Sequence, residues 1–103
     1  MTAVVRVSSG TFDPARFDEV QAMTVAVGRY LIPAIKKLPG LISYRAGTSR
    51  DGSTVHVSVW ESDEHANQMS RLKEMIVDAR GDAERAGVTF GAPIINYPID
   101  WEI

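Results

Sequence analysis

Two histidines, His56 and His65, are the residues of this sequence whose ordinary pKa allows proton exchange near neutral pH. The sequence contains no cysteine, which removes thiolate nucleophiles, thiolate metal ligands and disulfides together. Two histidines are too few for an all-histidine metal site, and neither an HxH nor an HxxxH spacing is present, so no metal is expected. Proton transfer by a histidine is therefore the chemistry that these residues favour.

His56 lies in the segment Thr54–Glu61, which alternates like a β-strand. The alternation separates two faces, one with Val55, Val57 and Val59 and the other with His56, Ser58 and Trp60. We expect the aliphatic face to contact helices and the other face to line a pocket. We expect Tyr44 on the same side, grouped with Ile42 and Ala46 in the segment Leu41–Thr48. Arg6 and Ser8 of the segment Ala3–Ser9 are expected there as well. The candidate site thus has His56 as a catalytic base and, as substrate-binding residues, Trp60, Tyr44, Ser58, Arg6 and Ser8.

Each candidate also has a purely structural interpretation. His56 also fits a core or interface histidine that bonds a neighbour. Tyr44 and Trp60 also fit aromatic packing that needs one hydrogen-bond partner each. His65 fits a solvated residue of a first helical turn. The charged segment 78–85 fits a solvated helix end, and Arg45 fits a surface or interface ion pair.

The elements that must position these residues follow the order β-α-β-β-α-β, a ferredoxin-like α+β unit in a single domain of residues 1–103. Asp13 and Pro14 predict the start of the first helix, and Pro33 predicts a kink or a short break in it. Ser62 predicts the cap of the second helix, with Met69 and Met75 buried and Gly81 closing it. The tail from Ile94 to Ile103 alternates like an edge strand.

Composition excludes several classes of function. The 103 residues carry a formal net charge of −2 without a run of like charges, so no nucleic-acid partner is expected. No apolar run reaches the roughly 20 residues of a membrane span, and no signal-peptide pattern is present. The protein is accordingly expected to be cytoplasmic, without a membrane partner. Neither a GxGxxG nor a Walker loop occurs, so no nucleotide or flavin cofactor is expected.

The segment from Leu38 to Met69 joins Pro39-Gly40, the valine-rich strand and Trp60-Glu61-Ser62. It resembles the central signature of the antibiotic-biosynthesis-monooxygenase-like family, whose members are small dimeric α+β barrels. The resemblance implies that two sheets pack face to face in a homodimer, that C-terminal segments take part in the contact, and that each barrel holds a small ligand. A tail bearing Ile99, Trp101 and Ile103 fits that use.

The resemblance implies two alternative activities. The haem-degrading branch uses an asparagine, a tryptophan and a histidine, and the matching positions here are Ser8, Met69 and Asp78, which disfavours haem. The other activity is cofactor-independent oxygenation of a phenolic or quinol-like compound. In that hypothesis His56 is the base, Trp60 and Tyr44 shape the cavity, and Ser58 or Arg6 orients a substrate oxygen. A non-catalytic dimeric module that binds a small ligand, or that is purely structural, is the alternative from a different class.

Overall fold

Four strands form one antiparallel sheet, and two helical segments cover one of its faces. The structure, a computed structural model, describes residues 2–103. In chain order its elements are β1 (Val4–Thr11), α1 (Phe17–Lys36), β2 (Leu41–Ser49), β3 (Ser53–Trp60), α2 (Asp63–Ala66), α3 (Lys73–Arg85) and β4 (Ile95–Pro98). The strand order β2-β3-β1-β4 confirms the predicted ferredoxin-like arrangement. Within residues 2–103, no helix combines the length and the apolarity needed to span a bilayer.

The first helix begins as its capping signal predicts. The Asp13 carboxylate accepts a hydrogen bond from the Ala15 backbone N–H at 2.9 Å, and a 3-10 turn over Pro14–Arg16 leads into α1. The predicted break at Pro33 is absent, because α1 continues through this residue to Lys36. The helix buries one apolar stripe against the sheet, made of Phe17, Val20, Val27, Leu31 and Ile35.

The second helical segment begins at its predicted cap, where the Ser62 hydroxyl accepts from the His65 backbone N–H at 3.2 Å. A 3-10 stretch then separates α2 from α3 over Asn67–Leu72. Its tighter winding changes the helical phase, so that Met69 is buried but Met75 is 38% exposed, against the prediction for Met75. The predicted end at Gly81 is also wrong, because α3 runs on to Arg85 and Gly87, at φ +101°, follows its cap.

The orientation predicted for β3 is inverted in the structure. The two groups of alternating residues are as predicted, but the helices cover the face that carries His56, Ser58 and Trp60. Trp60 is fully buried and belongs to the same core cluster as Val27 and Leu31 of α1. Alternation separates the two faces without stating which of them the helices cover. Here the largest apolar side chain of the strand lies on the helix side, and the valine face is left uncovered, with Val55 37% exposed.

Two further strands differ from their predictions. In β2 a register shift lies between Leu41 and Ser43, so Ile42 is 57% exposed rather than aligned with Tyr44 and Ala46. The extra residue of this β-bulge explains the difference. At the C-terminus only Ile95–Pro98 of the predicted strand pairs with β1, and the Ile99 N–H donates to the Ala3 carbonyl at 3.0 Å. Trp101 beyond it is 78% exposed.

Candidate functional site

A row of polar side chains crosses all four strands on the helix side of the sheet. Strand register places four residues opposite one another, in the order Asn96, Arg6, Ser58 and Tyr44. The row beside it contains Ser8 of β1 and His56 of β3. Residues directly opposite on one face of neighbouring strands lie within contact distance. The antiparallel pairing therefore brings together side chains that are far apart in sequence.

A cavity of about 110 Å³ lies between these rows and the helices. Five of the six predicted site residues line it, namely Arg6, Ser8, Tyr44, His56 and Ser58. The sixth, Trp60, is fully buried beside Ser58. The helices contribute mostly apolar side chains to the lining, among them Met23, Val27, Leu31, Met69, Ile76 and Ala79. A mainly apolar cavity with a few converging polar groups is the usual form of a small-molecule site.

Tyr44 and His56 form a hydrogen-bonded pair at the wall of the cavity. The Tyr44 hydroxyl lies 2.9 Å from His56 Nδ1, and the two rings meet edge to face. Burial lowers the pKa of His56, because the charged imidazolium loses solvation. Burial also raises the pKa of Tyr44 to about 12, although the Arg6 charge opposes that shift. At neutral pH the pair therefore consists of a neutral imidazole, ready to accept a proton, and a neutral phenol.

Ser58 and Trp60 form a second pair in the same wall. The Trp60 indole N–H donates to the Ser58 hydroxyl oxygen at 2.8 Å, and both residues are buried. Because the serine oxygen is the acceptor in this bond, its own O–H remains available as a donor. Trp60 thus orients Ser58 and fills the core, while Ser58 presents a hydroxyl to the cavity.

Two arginines are the charged residues that line the cavity. Arg6 Nη1 donates to Asn96 Oδ1 at 3.0 Å, and desolvation lowers its pKa, although a guanidinium remains charged in proteins at ordinary pH. The Arg80 guanidinium carbon lies 4.6 Å from the centre of the Phe90 ring, a cation–π contact that holds it in place. No aspartate or glutamate of the described chain lines this cavity, so its electrostatic environment favours an anionic ligand.

Arg80 is a site residue that the sequence interpretation missed, because the segment 78–85 was expected to be solvated. Arg80 lines the cavity, and Asp82 of the same segment accepts a hydrogen bond from the Tyr30 hydroxyl at 3.1 Å. The available signal was helical spacing. Arg80 follows Ile76 by four residues and precedes Ala83 by three, and both of these face the core.

His65 lies away from the cavity lining, in the first turn of α2, and is half-buried. Its Nδ1 atom is 2.7 Å from the Ser62 hydroxyl, and its ring lies against Gly40 of the Pro39-Gly40 turn. This histidine therefore closes the start of α2 over that turn. Among residues 2–103, no group of three or more histidine, aspartate or glutamate side chains has an arrangement that could hold a metal ion.

A second concavity, which we call the outer groove, lies between α1 and β2. Its volume is about 510 Å³, and Tyr44 and His56 belong to its wall as well as to that of the cavity. The remaining lining residues are mostly aliphatic, with one charged residue, and are Thr24, Val25, Val27, Gly28, Leu31, Ile32, Ile35, Lys36, Leu41 and Ala46. The Tyr44–His56 pair therefore stands between two adjoining spaces.

Solved structures of oxygenases share this fold over nearly the whole chain. The cofactor-independent oxygenase SnoaB of Streptomyces nogalater matches with a TM-score of 0.62 and 20% identity, covering 100% of this chain and 98% of that one. The ActVA-Orf6 monooxygenase of Streptomyces coelicolor, in complex with nanaomycin D, matches with a TM-score of 0.71 and 18% identity, covering 99% and 91%.

A third similar structure is a Deinococcus radiodurans protein provisionally described as an antibiotic biosynthesis monooxygenase. Its TM-score is 0.69 at 14% identity, with 97% of this chain and 95% of that one covered. No protein-family model matches the chain, and no curated protein matches it in sequence. The structural neighbours are thus antibiotic-biosynthesis-monooxygenase-like proteins, and what this chain shares with them is the fold.

Proposed function

We propose that the protein is a cofactor-independent monooxygenase that oxidises a small phenolic or quinol-like aromatic compound in the cavity. The observation that carries the proposal is the half-buried Tyr44–His56 pair, with the Tyr44 hydroxyl 2.9 Å from His56 Nδ1, in a cavity whose charged lining residues are arginines. The oxygenase activities of SnoaB and ActVA-Orf6, proteins of the same fold, support this kind of reaction. Fold alone does not determine chemistry, so the side chains that line the cavity are the stronger support.

The first step is removal of the phenolic proton by His56. In the tautomer that this step requires, His56 Nδ1–H donates to the Tyr44 oxygen and Nε2 is free to accept the proton. The tautomer is assigned from this chemical requirement. The lowered pKa of His56 keeps the imidazole neutral and competent as a base near neutral pH. The Tyr44 O–H is then free to donate to a substrate oxygen.

The phenolate that results is both stabilised and reactive in this cavity. The guanidinium groups of Arg6 and Arg80 favour the anion, and the apolar walls limit competing water. The electron-rich ring then reacts with dioxygen. One oxygen atom becomes the carbonyl of a quinone, the other leaves as water, and the substrate supplies the four electrons. In this balance a phenol and one dioxygen give a quinone and one water, and no further reductant is consumed.

Oxygen uptake with a panel of phenols and hydroquinones tests the proposal. His56→Ala should lower turnover about 10²- to 10⁴-fold, the usual contribution of a general base. His65→Ala is the matched control, because this histidine lies away from the cavity lining, and it should retain turnover once its folding is verified by circular dichroism. Absence of oxygen uptake by the unmodified protein across the panel, or equal rates for His56→Ala, would contradict the proposal.

A non-catalytic ligand-binding module is the second candidate. It is favoured by the hydrogen bonding of the buried side chains, since none of their polar atoms in the described chain lacks a partner. A site whose buried polar atoms already have hydrogen-bond partners does not by itself indicate a reaction. Binding of phenols without oxygen uptake, detected by titration calorimetry in parallel with the uptake assay, would select this candidate.

We also propose that the protein forms a homodimer through the uncovered face of the sheet and the C-terminal segment. This outer face carries the aliphatic side chains Val5, Val7, Val55, Val57, Val59 and Ile95, with Tyr97 beside them. Arg45 is its one charged residue among the paired strand positions, and the tail of a second copy offers Asp100 and Glu102 as complementary charges. An exposed apolar sheet of this kind is expected to be covered by protein.

A further inference from the structure

Asn96 of β4 is the centre of a hydrogen-bond network that includes Arg6 of the cavity lining. Its Oδ1 atom accepts from Arg6 at 3.0 Å, and its Nδ2 atom donates to Asp63 Oδ1 and to Asn67 Oδ1, each at 3.0 Å. Asn67 Nδ2 in turn donates to the second oxygen of Asp63 at 3.2 Å. The carbonyl oxygen of the Asn96 amide therefore accepts from a cation, and its NH₂ group donates to an anion.

The same network keeps Arg6 and Asp63 apart. The two ion pairs within the described residues are Arg16 with Glu19 and Arg85 with Asp82, so Arg6 and Asp63 do not form a direct salt bridge. They nevertheless lie close enough for the Asp63 charge to affect the pKa of Arg6. An arginine and a carboxylate without a group between them favour a direct, charge-assisted pair. In this fold Arg6 and Asp63 each bond the Asn96 amide instead of one another.

We propose that Asn96 is a positioning residue, which insulates Arg6 from Asp63 and so leaves the Arg6 charge available to an anionic group in the cavity. Without the amide, Arg6 turns toward Asp63, its charge is neutralised, and the cavity loses one of its two cations. The anionic group is the phenolate of the proposed function, and for that ligand the inference rests on that function. The separation of Arg6 from Asp63 does not depend on any ligand.

The ligand-free part is tested by double-mutant cycles in thermal or urea unfolding. Arg6→Gln and Asp63→Asn are combined in two backgrounds, with Asn96 intact and with Asn96→Ala. With Asn96 intact, the coupling between the two residues should change the unfolding equilibrium constant less than about twofold. In the Asn96→Ala background the coupling should change the unfolding equilibrium constant roughly three- to fivefold, as expected for a newly formed, partly exposed ion pair. Equal coupling in the two backgrounds would overturn the proposal.

The ligand-dependent part uses 4-nitrophenolate as an absorbance probe. Asn96→Ala should weaken its binding about tenfold, the effect of losing one charge-assisted contact, and adding Asp63→Asn should restore affinity to within about threefold. A merely structural role predicts no such rescue. Asn67→Ala is the matched amide control, because Asn67 contacts Asp63 and Asn96 but does not bond Arg6, and it should bind the probe as the unmodified protein does.

The two parts separate failure of this inference from failure of the proposed function. If the unmodified protein does not bind 4-nitrophenolate, the phenol-binding function is contradicted and the unfolding cycles alone decide the role of Asn96. If the probe binds and Asp63→Asn fails to rescue Asn96→Ala, the insulating role is wrong while the proposed function stands.

Discussion

The two faces of the sheet are built from the same four strands and differ in an unexpected way. The face beneath the helices carries the polar row of Arg6, Ser58 and Tyr44 with His56 beside it, and the outer face carries mainly valines. The buried polar groups are tolerated because each has a hydrogen-bond partner. The outer valines have no cover within residues 2–103. In the proposed function the polar row under the helices serves a ligand, and in the proposed homodimer the apolar outer face serves a second copy.

The largest effect is expected from a charge on the outer face. Val7→Glu places a carboxylate opposite Val57 and Ile95, where each copy of the proposed dimer would bury it among aliphatic side chains. We expect the dimer dissociation constant to rise about a thousandfold, equivalent to about 4 kcal/mol. Sedimentation equilibrium measures the association, and Lys73→Glu on the exposed side of α3 is the control. An unchanged association constant would mean that the outer face is not the interface.

An effect of similar size, on folding rather than on association, is expected from Trp60, which lies on the helix-covered face of β3. Trp60→Ala should lower the free energy of unfolding by about 3–5 kcal/mol, because it empties a fully buried aromatic site. Trp60→Phe should cost about 1–2 kcal/mol, since it keeps most of the packing but leaves Ser58 without its donor.

Urea unfolding measures both Trp60 variants. Val59→Ala is the comparison on the outer face, where a half-buried valine should contribute about 1 kcal/mol. Equal costs for Trp60→Ala and Val59→Ala would mean that the two faces do not differ in packing.

Filling the outer groove should have a smaller and more selective effect. Gly28 lies in α1 and lines the groove, and a Cβ atom there would meet only the flexible end of Ile32, at 3.3 Å. Gly28→Ala should stabilise the helix by about 1 kcal/mol.

Gly28→Leu should raise KM about tenfold for phenols with two or more fused rings, the effect of losing a modest area of apolar contact. Phenol itself, which fits without the groove, should keep its KM. Steady-state oxygen uptake measures both. Equal effects on small and large substrates would show that the groove takes no part in binding.

The smallest effect is the pH dependence of stability that His56 contributes. Burial lowers its pKa in the folded state below the ordinary value of 6.5, so the unfolded chain takes up a proton first as the pH falls. The stabilisation that His56 contributes is therefore lost as the pH falls from the ordinary pKa of histidine to its lower pKa in the folded state. Within that window the free energy of unfolding rises with pH.

Urea midpoints at about pH 7.5 and pH 5 compare the unmodified protein with His56→Gln. His56→Gln should reduce the difference between the midpoints at the two pH values. No reduction in His56→Gln would contradict the partly desolvated, neutral state assigned to His56.

Much of the fold follows from local signals in the sequence. The Asp13 and Ser62 caps and the alternation of β3 act within a few residues of one another, and these predictions are confirmed. Local signals do not predict which side of β3 the helices cover. Both faces of the strand are apolar enough for a core, so the choice depends on packing with α1, which alternation does not encode.

The site shows the same limit. Five predicted residues line one cavity because strand parity groups them. Arg80 also has a local signal, its spacing from Ile76 and Ala83 within α3, although the 3-10 stretch before α3 sets the phase of that helix. Asn96 reaches Arg6 across 90 positions of sequence, through the pairing of β4 with β1. That pairing is not encoded by neighbouring residues.

The bulge between Leu41 and Ser43 has a consequence for how this sequence can change over generations. Leu41 lies opposite Trp60 and Tyr44 lies opposite Ser58, so the one extra residue allows both to face the helices although they are three positions apart. A single-residue deletion that removed the bulge would send one of the two to the outer face. Length changes in this part of β2 should therefore be purged by selection even where substitutions at Ile42 are tolerated.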